Sequence, residues 1–147
     1  MDYKLELVLL PVTDVDRAKA FYSEQLGFAV QVDHRAGENF RVVQLNPPGS
    51  ACSISIGTGI TSAEPGSVVG LHLVVEDLQA AVDELSGRGV SVSQPRHLTA
   101  EGWQPGVEPN HQDFASFADF ADPDGNSWVL QEVGYRSAGP TYGMAFG

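Results

Sequence analysis

Cysteine is nearly absent from this sequence: Cys52 stands alone among 147 residues. A single cysteine cannot close an intramolecular disulfide, and it cannot supply the paired thiolates of a Cys-rich zinc site. Long apolar runs are missing too. The apolar segment at 5–12 is far shorter than the about 20 residues of a membrane-spanning helix, and it lacks the basic flank and cleavage site of a signal peptide. We therefore expect a cytoplasmic protein with no membrane partner.

Basic residues are also scarce. Lys and Arg number 8 against 19 Asp and Glu, which gives a net charge of −11, and no segment clusters Lys or Arg. Binding to nucleic acid requires a basic face that neutralises phosphates, so no nucleic-acid partner is expected. An acidic surface attracts cationic small molecules, but acidic surfaces also serve solubility alone. Both interpretations stay open at this point.

The best-known catalytic motifs are missing as well. The sequence has no G-x-S-x-G, no P-loop, no G-x-G-x-x-G and no H-E-x-x-H, so nucleophilic hydrolases, nucleotide-binding enzymes and zinc proteases are unsupported. What remains is an ordinary globular composition, with 42% hydrophobic and 18% charged residues. A chain of this length can bury a core as a single domain.

The pattern of elements predicts two similar halves. In the first, an apolar strand at 5–12 precedes a helix that begins after the N-cap Asp14 and ends at Gly27, and three strands follow at 28–33, 40–45 and 51–57. In the second, a strand at 68–76 precedes a helix that begins after Asp77, and strands follow at 90–93, 114–121 and 127–133. Each half is therefore predicted to be βαβββ.

Register supports the repeat. A shift of 63 residues superposes Asp14 on Asp77, and a shift of 76 superposes Gly49 on Gly125, the glycines of two Pro-Gly turns that precede the last strand of each half. The larger second shift reflects a longer segment after the second helix. We interpret residues 1–147 as one α+β domain, with module one at 5–57, a linker at 58–68, module two at 69–133 and a C-terminal tail at 134–147.

Three segments in this order resemble the vicinal oxygen chelate superfamily, which contains glyoxalase I, bleomycin-resistance proteins and extradiol dioxygenases. They are VTDVDRAKAFYSEQLGF, VVEDLQAAVDELSGRGV and FADPDGNSWVLQE. The resemblance implies that the two βαβββ modules form an incomplete mixed-sheet barrel around a cleft, and it implies a homodimer. It does not specify a reaction, because this fold carries several chemistries.

The resemblance also bears on a metal. In metal-using members, the first and last strands of each module supply the ligands, and those positions fall here on Leu7, Ser53, Gly70 and Val129. Apart from the Ser53 hydroxyl, none of these side chains offers a ligand atom, so we expect no metal or other cofactor. A slip of two residues keeps the same strand face and brings in His72 and Gln131 with Leu9 and Ser55, so a divalent metal at His72 and Gln131 is the alternative.

Six residues are candidates for ligand binding because they are expected to line the implied cleft or to cover it: Ser53, Ser55, His72, Trp103, Phe114 and Gln131. Of these, His72 is the best candidate for a general base, because its neutral ring can accept a proton near pH 7. The alternatives are that His72 is a buried structural histidine and that the serines, His72 and Gln131 hydrogen-bond one another. His97 and His111, in the long segment of the second half, are interpreted as exposed loop residues.

Two functions from different classes follow. The first is a metal-independent binding protein of the bleomycin-resistance type, whose ligand is a cationic or aromatic, antibiotic-like small molecule. The second is a lyase, isomerase or dioxygenase that uses a metal or His72 as a base. The third hypothesis is an interaction module whose cleft is filled by its own side chains. Whether the protein is an enzyme is left open by the sequence.

Overall fold

The computed structural model describes residues 1–133, and the tail predicted at 134–147 lies outside the described residues. The described chain divides into two compact units. One comprises Met1–Val69 with Asp122–Asn126, and the other comprises Gly70–Ala121 with the chain from Ser127 onward. Within the described chain no helix is long and apolar enough to cross a membrane.

The first unit consists of a four-stranded sheet and one helix. Its elements are β1 (Leu7–Leu9), α1 (Val15–Ala20) continued by a π-helical turn (Phe21–Gln25), β2 (Ala29–Arg35), β3 (Arg41–Asn46) and β4 (Ser53–Thr58). Helix α1 starts where predicted, because the Asp14 carboxylate accepts the Arg17 N–H at 3.0 Å.

The first sheet has the order β1-β4-β3-β2, and β1 is parallel to β4. Alternate residues of β3 and β4 form the core face, and helix α1 packs against β4. The fully or nearly fully buried side chains of this unit include Leu10, Tyr22, Val43, Leu45, Ile54 and Ile56. The opposite face of the sheet carries Leu9, Gln44, Ser53 and Ser55, which are neighbours in the ladder.

The second unit repeats this plan. Its elements are β5 (Leu71–Val75), α2 (Leu78–Gly87), β6 (Arg96–Thr99), β7 (Gly102–Pro105), β8 (Ser116–Ala121) and β9 (Ser127–Glu132), and the sheet order is β5-β9-β8-β6-β7. Asp77 caps α2, since its Oδ1 accepts the Ala80 N–H at 3.0 Å. As in the first unit, the first and last strands are parallel and the rest of the sheet is antiparallel.

The predicted α+β fold class is confirmed: two repeated modules form two mixed sheets with few helices. The two Asp caps and the last two strands of each module were predicted from the sequence. Strand β7 is an addition, because it lies outside β6 at the sheet edge and has no counterpart in the first unit.

Two predicted strands are wrong in extent. The first strand covers only Leu7–Leu9 of the predicted 5–12, and residues 90–93 are not a strand. Ser93 still contacts Asp119 of β8 through both backbone and side chain, at 2.9 Å in each case, but regular pairing starts only at Arg96. Pro95 lies between them, and a proline has no N–H to donate to a ladder.

The turn after β8 is held by a buried carboxylate. Asp122 is 5% exposed, and its oxygens accept the N–H groups of Asp124 and Asn126 at 2.9 and 3.0 Å and the Tyr22 hydroxyl at 2.8 Å. Gly125 has φ of +99°, a conformation that favours glycine. The Pro-Gly pattern of the sequence therefore corresponds to a turn in which Asp122 accepts the backbone N–H groups and Gly125 adopts the positive φ.

Candidate functional site

The second unit contains a pocket of about 540 Å³, within the size range of small-molecule sites. Its lining is more apolar than polar and combines aromatic rings with a few polar groups. The lining residues are His72, Arg96, Leu98, Trp103, Gln112, Asp113, Phe114, Ala115, Phe117 and Val129.

Strand register explains why these side chains share one face. His72 lies opposite Val129, and Val129 lies opposite Asp119. On the other side of β8, Phe117 lies opposite Arg96. Neighbours across a sheet point to the same side, so these residues face the pocket. The alternate residues of β8 and β9, among them Ala118, Phe120, Trp128 and Leu130, are buried on the other face, where α2 packs.

The outer wall of the pocket is built from an arginine and two aromatic rings. The Arg96 guanidinium carbon lies 5.0 Å from the centre of the Trp103 ring, within cation–π range. Trp103 meets Phe117 edge to face, with centroids 5.7 Å apart. Arg96 also forms an ion pair with Asp119 at 2.8 Å. Trp103 is nonetheless 52% exposed, so much of its ring is available to a ligand.

The long segment of the second half was expected to be loop, but residues 96–105 form a β-hairpin, so the prediction that His97 is a loop residue is wrong. Strands β6 and β7 pair from Arg96 with Pro105 to Thr99 with Gly102. This pairing places Leu98 beside Trp103, and both line the pocket. Sequence reasoning missed Arg96 and Leu98, because the alternation in this hairpin is short and interrupted by Gly102 and Pro105. It also missed Phe117 of β8 as a pocket residue.

His72 is exposed and lines the pocket. Its Nδ1 lies 2.8 Å from the carbonyl oxygen of Gly70. The predicted role of His72 as a ligand-contacting residue therefore stays a prediction, and the alternative of a buried histidine does not describe its environment. Its partner across the ladder is Val129, whereas Gln131 lies opposite Val74. The metal alternative placed His72 beside Gln131, and the observed strand pairing is shifted from that prediction by two residues.

Phe114 and Gln131 are linked directly. The Gln131 amide donates to the Phe114 carbonyl at 3.1 Å, and the Phe114 N–H donates to the backbone carbonyl of Glu132 at 2.7 Å. Phe114 adopts a φ of +62° and His111 a φ of +49°, a region that side-chain-bearing residues seldom occupy. Gln131 is 7% exposed and anchors the pocket wall at Phe114.

Glu132 is the residue that sequence reasoning missed most clearly. Its side chain is fully buried, and its carboxylate accepts the Leu78 N–H at the start of α2 at 2.8 Å and lies 2.9 Å from Nδ1 of His111. The prediction that His111 is an exposed loop residue is wrong, because Glu132 binds it. Period-two alternation from Trp128 and Leu130 places Glu132 on the buried face, and that signal was present in the sequence.

The two serines lie in the first unit. The Ser53 hydroxyl donates to Oδ1 of Asn46 at 2.9 Å and lies 3.2 Å from Oε1 of Gln31, which also accepts from Gln44 at 3.1 Å. Ser55 is 1% exposed, and its Oγ has no hydrogen-bond partner among residues 1–133. The four other candidates, namely His72, Trp103, Phe114 and Gln131, belong to the second unit.

The residues at the implied metal-ligand positions do not fit a divalent ion. Leu7 lies beside Ser53 in the first sheet, and Val129 lies beside His72 in the second, so each unit offers a single ligand-capable side chain there. Gln131, the other ligand of the alternative, lies opposite Val74 in the ladder and not opposite His72. Among residues 1–133 no group of three or more His, Cys, Asp or Glu is arranged to hold a metal.

The first unit has a polar pocket of about 320 Å³, whose lining includes Arg35, Glu38 and Arg41. The Arg41 guanidinium bonds both oxygens of Asp33 at 3.0 and 2.9 Å, and one oxygen of Asp16 at 2.7 Å. These bonds hold the pKa of both carboxyl groups below the usual range, and Lys19 adds to the effect at Asp33. The two carboxylates thus neutralise the buried guanidinium of Arg41 at the protein surface.

Solved structures of similar proteins share this architecture. TnmS3, an antibiotic binding protein from Streptomyces sp. CB03234, is 30% identical, with a TM-score of 0.69 over 90% of this chain and 97% of that one. A glyoxalase/bleomycin resistance protein from the same organism is 31% identical, with a TM-score of 0.66 over 87% of this chain and 99% of that one.

A curated relative and a family model extend the comparison. The uncharacterized protein YetH of Bacillus subtilis (strain 168) is 24% identical over 126 residues, which cover 85% of this chain and 94% of YetH. The model of the Glyoxalase/Bleomycin resistance protein/Dioxygenase superfamily matches residues 4–130, from before β1 into β9. With the repeated modules and their strand order, this match shows that the chain belongs to the Glyoxalase/Bleomycin resistance protein/Dioxygenase superfamily.

Proposed function

We propose that this protein binds small aromatic molecules in the pocket of its second unit and that binding requires no metal ion. The observation that carries the proposal is the wall in which Arg96 lies over Trp103 and Trp103 meets Phe117. A half-exposed tryptophan whose orientation is fixed by two neighbours offers a planar ligand a stacking surface at little entropic cost.

The relatives support a binding function. TnmS3 is described as an antibiotic binding protein, and it covers most of this chain. We infer that the ligand here is antibiotic-like in size and aromatic character. A cationic ligand, which the net charge of −11 suggested, would meet the guanidinium of Arg96 in the pocket wall, so the aromatic class is the better supported.

Titration of the full-length protein with a panel of planar aromatic compounds, followed by isothermal titration calorimetry, tests the proposal. Trp103→Ala should weaken binding about tenfold, because a stacked aromatic pair contributes roughly 0.5–1.5 kcal/mol beyond area burial. Phe40→Ala is the matched control, since Phe40 is a partly exposed aromatic residue that lines the polar pocket of the first unit.

The control should bind like the unsubstituted protein. Failure of the whole panel to bind at millimolar concentration would overturn the proposal, and so would an equal loss of affinity in the two variants.

A second candidate function uses His72 as a general base in an isomerase or lyase reaction. The supporting observation is the Gly70 carbonyl at Nδ1, which orients the ring beside the pocket. Once a ligand is found, NMR of the mixture over hours tests for turnover. A product that forms with the unsubstituted protein and not with His72→Phe supports catalysis, and an unchanged ligand rejects it.

We also propose that the protein is a homodimer and that it is cytoplasmic. Among the described residues, exposed apolar side chains lie on the open face of both sheets, at Leu9, Val32, Val74 and Leu98. A second copy of the chain that packs on these faces would remove them from water. Sedimentation equilibrium at micromolar concentration should give twice the chain mass, and Leu9→Glu should shift the distribution toward monomer. A monomer at all concentrations rejects the dimer, and cell fractionation tests the location.

A further inference from the structure

The pocket carries polar groups at two defined places, and these constrain its ligand. We infer that the ligand is a neutral, planar, two-ring aromatic molecule with a hydroxyl group at one end and a carbonyl oxygen at the other. This inference rests on the proposed function, because it names the ligand class of the same pocket. It follows from the tautomer of His72, the donors of Arg96 and the distance across the sheet.

His72 defines the hydroxyl end. A backbone carbonyl can only accept a hydrogen bond, so the 2.8 Å contact with the Gly70 oxygen places the proton of the neutral ring on Nδ1. Nε2 then carries a lone pair and can only accept. Within residues 1–133 the His72 ring makes no second hydrogen bond. A ligand group that suits this nitrogen must donate, as a phenolic hydroxyl does.

Arg96 defines the carbonyl end. A guanidinium has five N–H donors and no acceptor. Its two terminal nitrogens each contact Asp119, at 2.8 and 3.3 Å, which leaves further N–H groups at the pocket wall. The face of the same guanidinium lies over Trp103. A ligand stacked on this wall can therefore present an oxygen acceptor to Arg96 in the plane of its rings.

The register fixes the approximate length of the ligand. His72, Val129 and Asp119 lie on adjacent strands in the order β5, β9, β8, so Asp119 is two strands from His72, or about 10 Å at the usual strand spacing. The ion pair draws the Arg96 guanidinium toward Asp119. Arg96 itself lies on β6, one strand beyond Asp119, so its guanidinium is about 10–14 Å from His72. Two hydrogen bonds of about 2.8 Å each leave about 4–8 Å between the polar ends of the ligand, and a disubstituted naphthalene reaches the upper end of this range.

The charges of the site favour a neutral ligand. Asp119 already balances the charge of Arg96, and the lining also includes the carboxyl-bearing Asp113. An anionic ligand would face Asp113 and the overall charge of −11, and a cationic one would face Arg96. A phenol and a ketone supply the donor and acceptor without adding charge.

Three small naphthalene probes test the inference by isothermal titration calorimetry with the full-length protein. 6-Acetyl-2-naphthol carries both polar groups, 2-acetyl-6-methoxynaphthalene lacks the hydroxyl donor, and 2-naphthol lacks the carbonyl. Each of the two incomplete probes should bind about five- to tenfold more weakly than the first, the effect of one hydrogen bond in a partly desolvated site.

A variant of His72 shows whether the methoxy probe binds more weakly because it lacks the hydrogen bond or because the methoxy group is larger. His72→Phe keeps a ring at an exposed position but removes Nε2, so it should bind the hydroxyl and methoxy probes with equal affinity. His34→Phe is the matched control, because His34 is an exposed histidine on β2 outside the pocket, and it should keep the five- to tenfold preference.

The outcomes distinguish this inference from the proposed function. If all three probes bind equally and Trp103→Ala weakens each of them, the pocket binds aromatic molecules and the inferred polar ends are wrong. If His72→Phe keeps the preference for the hydroxyl probe, His72 is not the acceptor. If no probe binds at millimolar concentration while other planar compounds of the panel do, the inferred ligand class is wrong and the proposed function stands. If the whole panel fails as well, both are overturned.

Discussion

At the scale of single residues, Asp33 makes stability depend on pH. Its carboxylate accepts two bonds from Arg41 and one from Lys19, which lowers its pKa in the folded protein. A lowered pKa contributes stability that is fully present above the pKa of the unfolded carboxyl, about 3.9, and is lost as the pH falls through the folded value.

We predict that Asp33→Asn lowers the free energy of unfolding at pH 7 by about 1–3 kcal/mol, because the nearly buried Arg41 loses its charged partner. The difference from the unsubstituted protein should shrink below about pH 4, where the Asp33 carboxyl becomes protonated in the unfolded chain but still carries its charge in the folded one. Urea unfolding at pH 7, 5 and 3 measures both effects. Asp2→Asn, at an exposed position, is the control, and a difference that stays constant with pH would contradict the assigned cause.

Glu132 is a second residue whose replacement should lower the free energy of unfolding. Glu132→Gln retains the shape but removes one of the two acceptor oxygens that serve Leu78 and His111. We predict a loss of about 1–3 kcal/mol in urea unfolding at pH 7, the usual cost of leaving a buried polar group without its partner.

The comparison variant is Glu101→Gln, since Glu101 is exposed in the turn between β6 and β7. If the two substitutions cost the same, the buried contacts of Glu132 contribute nothing to stability.

At the scale of elements, helix α2 depends on its N-cap. Asp77→Ala removes the acceptor of the Ala80 N–H and should destabilise the protein by about 1 kcal/mol. Asp77→Ser supplies a hydroxyl acceptor at the same place and should recover most of the loss. Thermal unfolding followed by circular dichroism compares the two. Equal melting temperatures for Asp77→Ala and Asp77→Ser would show that capping is not the reason.

The elements themselves show which sequence signals suffice. Both helix starts and the last two strands of each module were predicted, because a cap, a turn glycine and an alternating strand act over a few residues. The hairpin of β6 and β7 was not, because its strands gain their order from pairing with β8 and from Arg96 stacking on Trp103. Its own residues alternate too briefly to signal a strand.

The same distinction applies to the candidate site. Period-two alternation correctly put His72 and Val129 on one face, but the offset between β5 and β9 is set by hydrogen bonds between distant segments, so His72 meets Val129 and not Gln131. The roles of Phe114 and Gln131 depend on a loop with two residues at positive φ, which no local pattern predicts. The residues of the site were therefore partly predictable, and their mutual geometry was not.

At the scale of the whole molecule, we predict that no divalent metal contributes to folding or binding. The first and last strands pair Leu7 with Ser53 in one unit and His72 with Val129 in the other, so each unit supplies only one ligand-capable side chain there. Treatment with EDTA should leave the melting temperature and the affinity for the aromatic probes unchanged, and elemental analysis should find less than one metal per chain. A stoichiometric metal whose removal weakens binding would contradict this.

The β6–β7 hairpin has a further consequence, for how binding specificity can change over evolution. It supplies Arg96, Leu98 and Trp103 to the pocket, yet it joins the rest of its sheet through only the Arg96–Phe117 and His97–Ser116 pairs, and β7 has no equivalent in the first unit. Such a segment can be exchanged between homologues with little effect on the modules that carry it. A chimera in which residues 96–105 are replaced by the matching segment of TnmS3 should therefore fold and acquire a new ligand preference. Ligand specificity could then change through this segment alone, without changes in the rest of the domain.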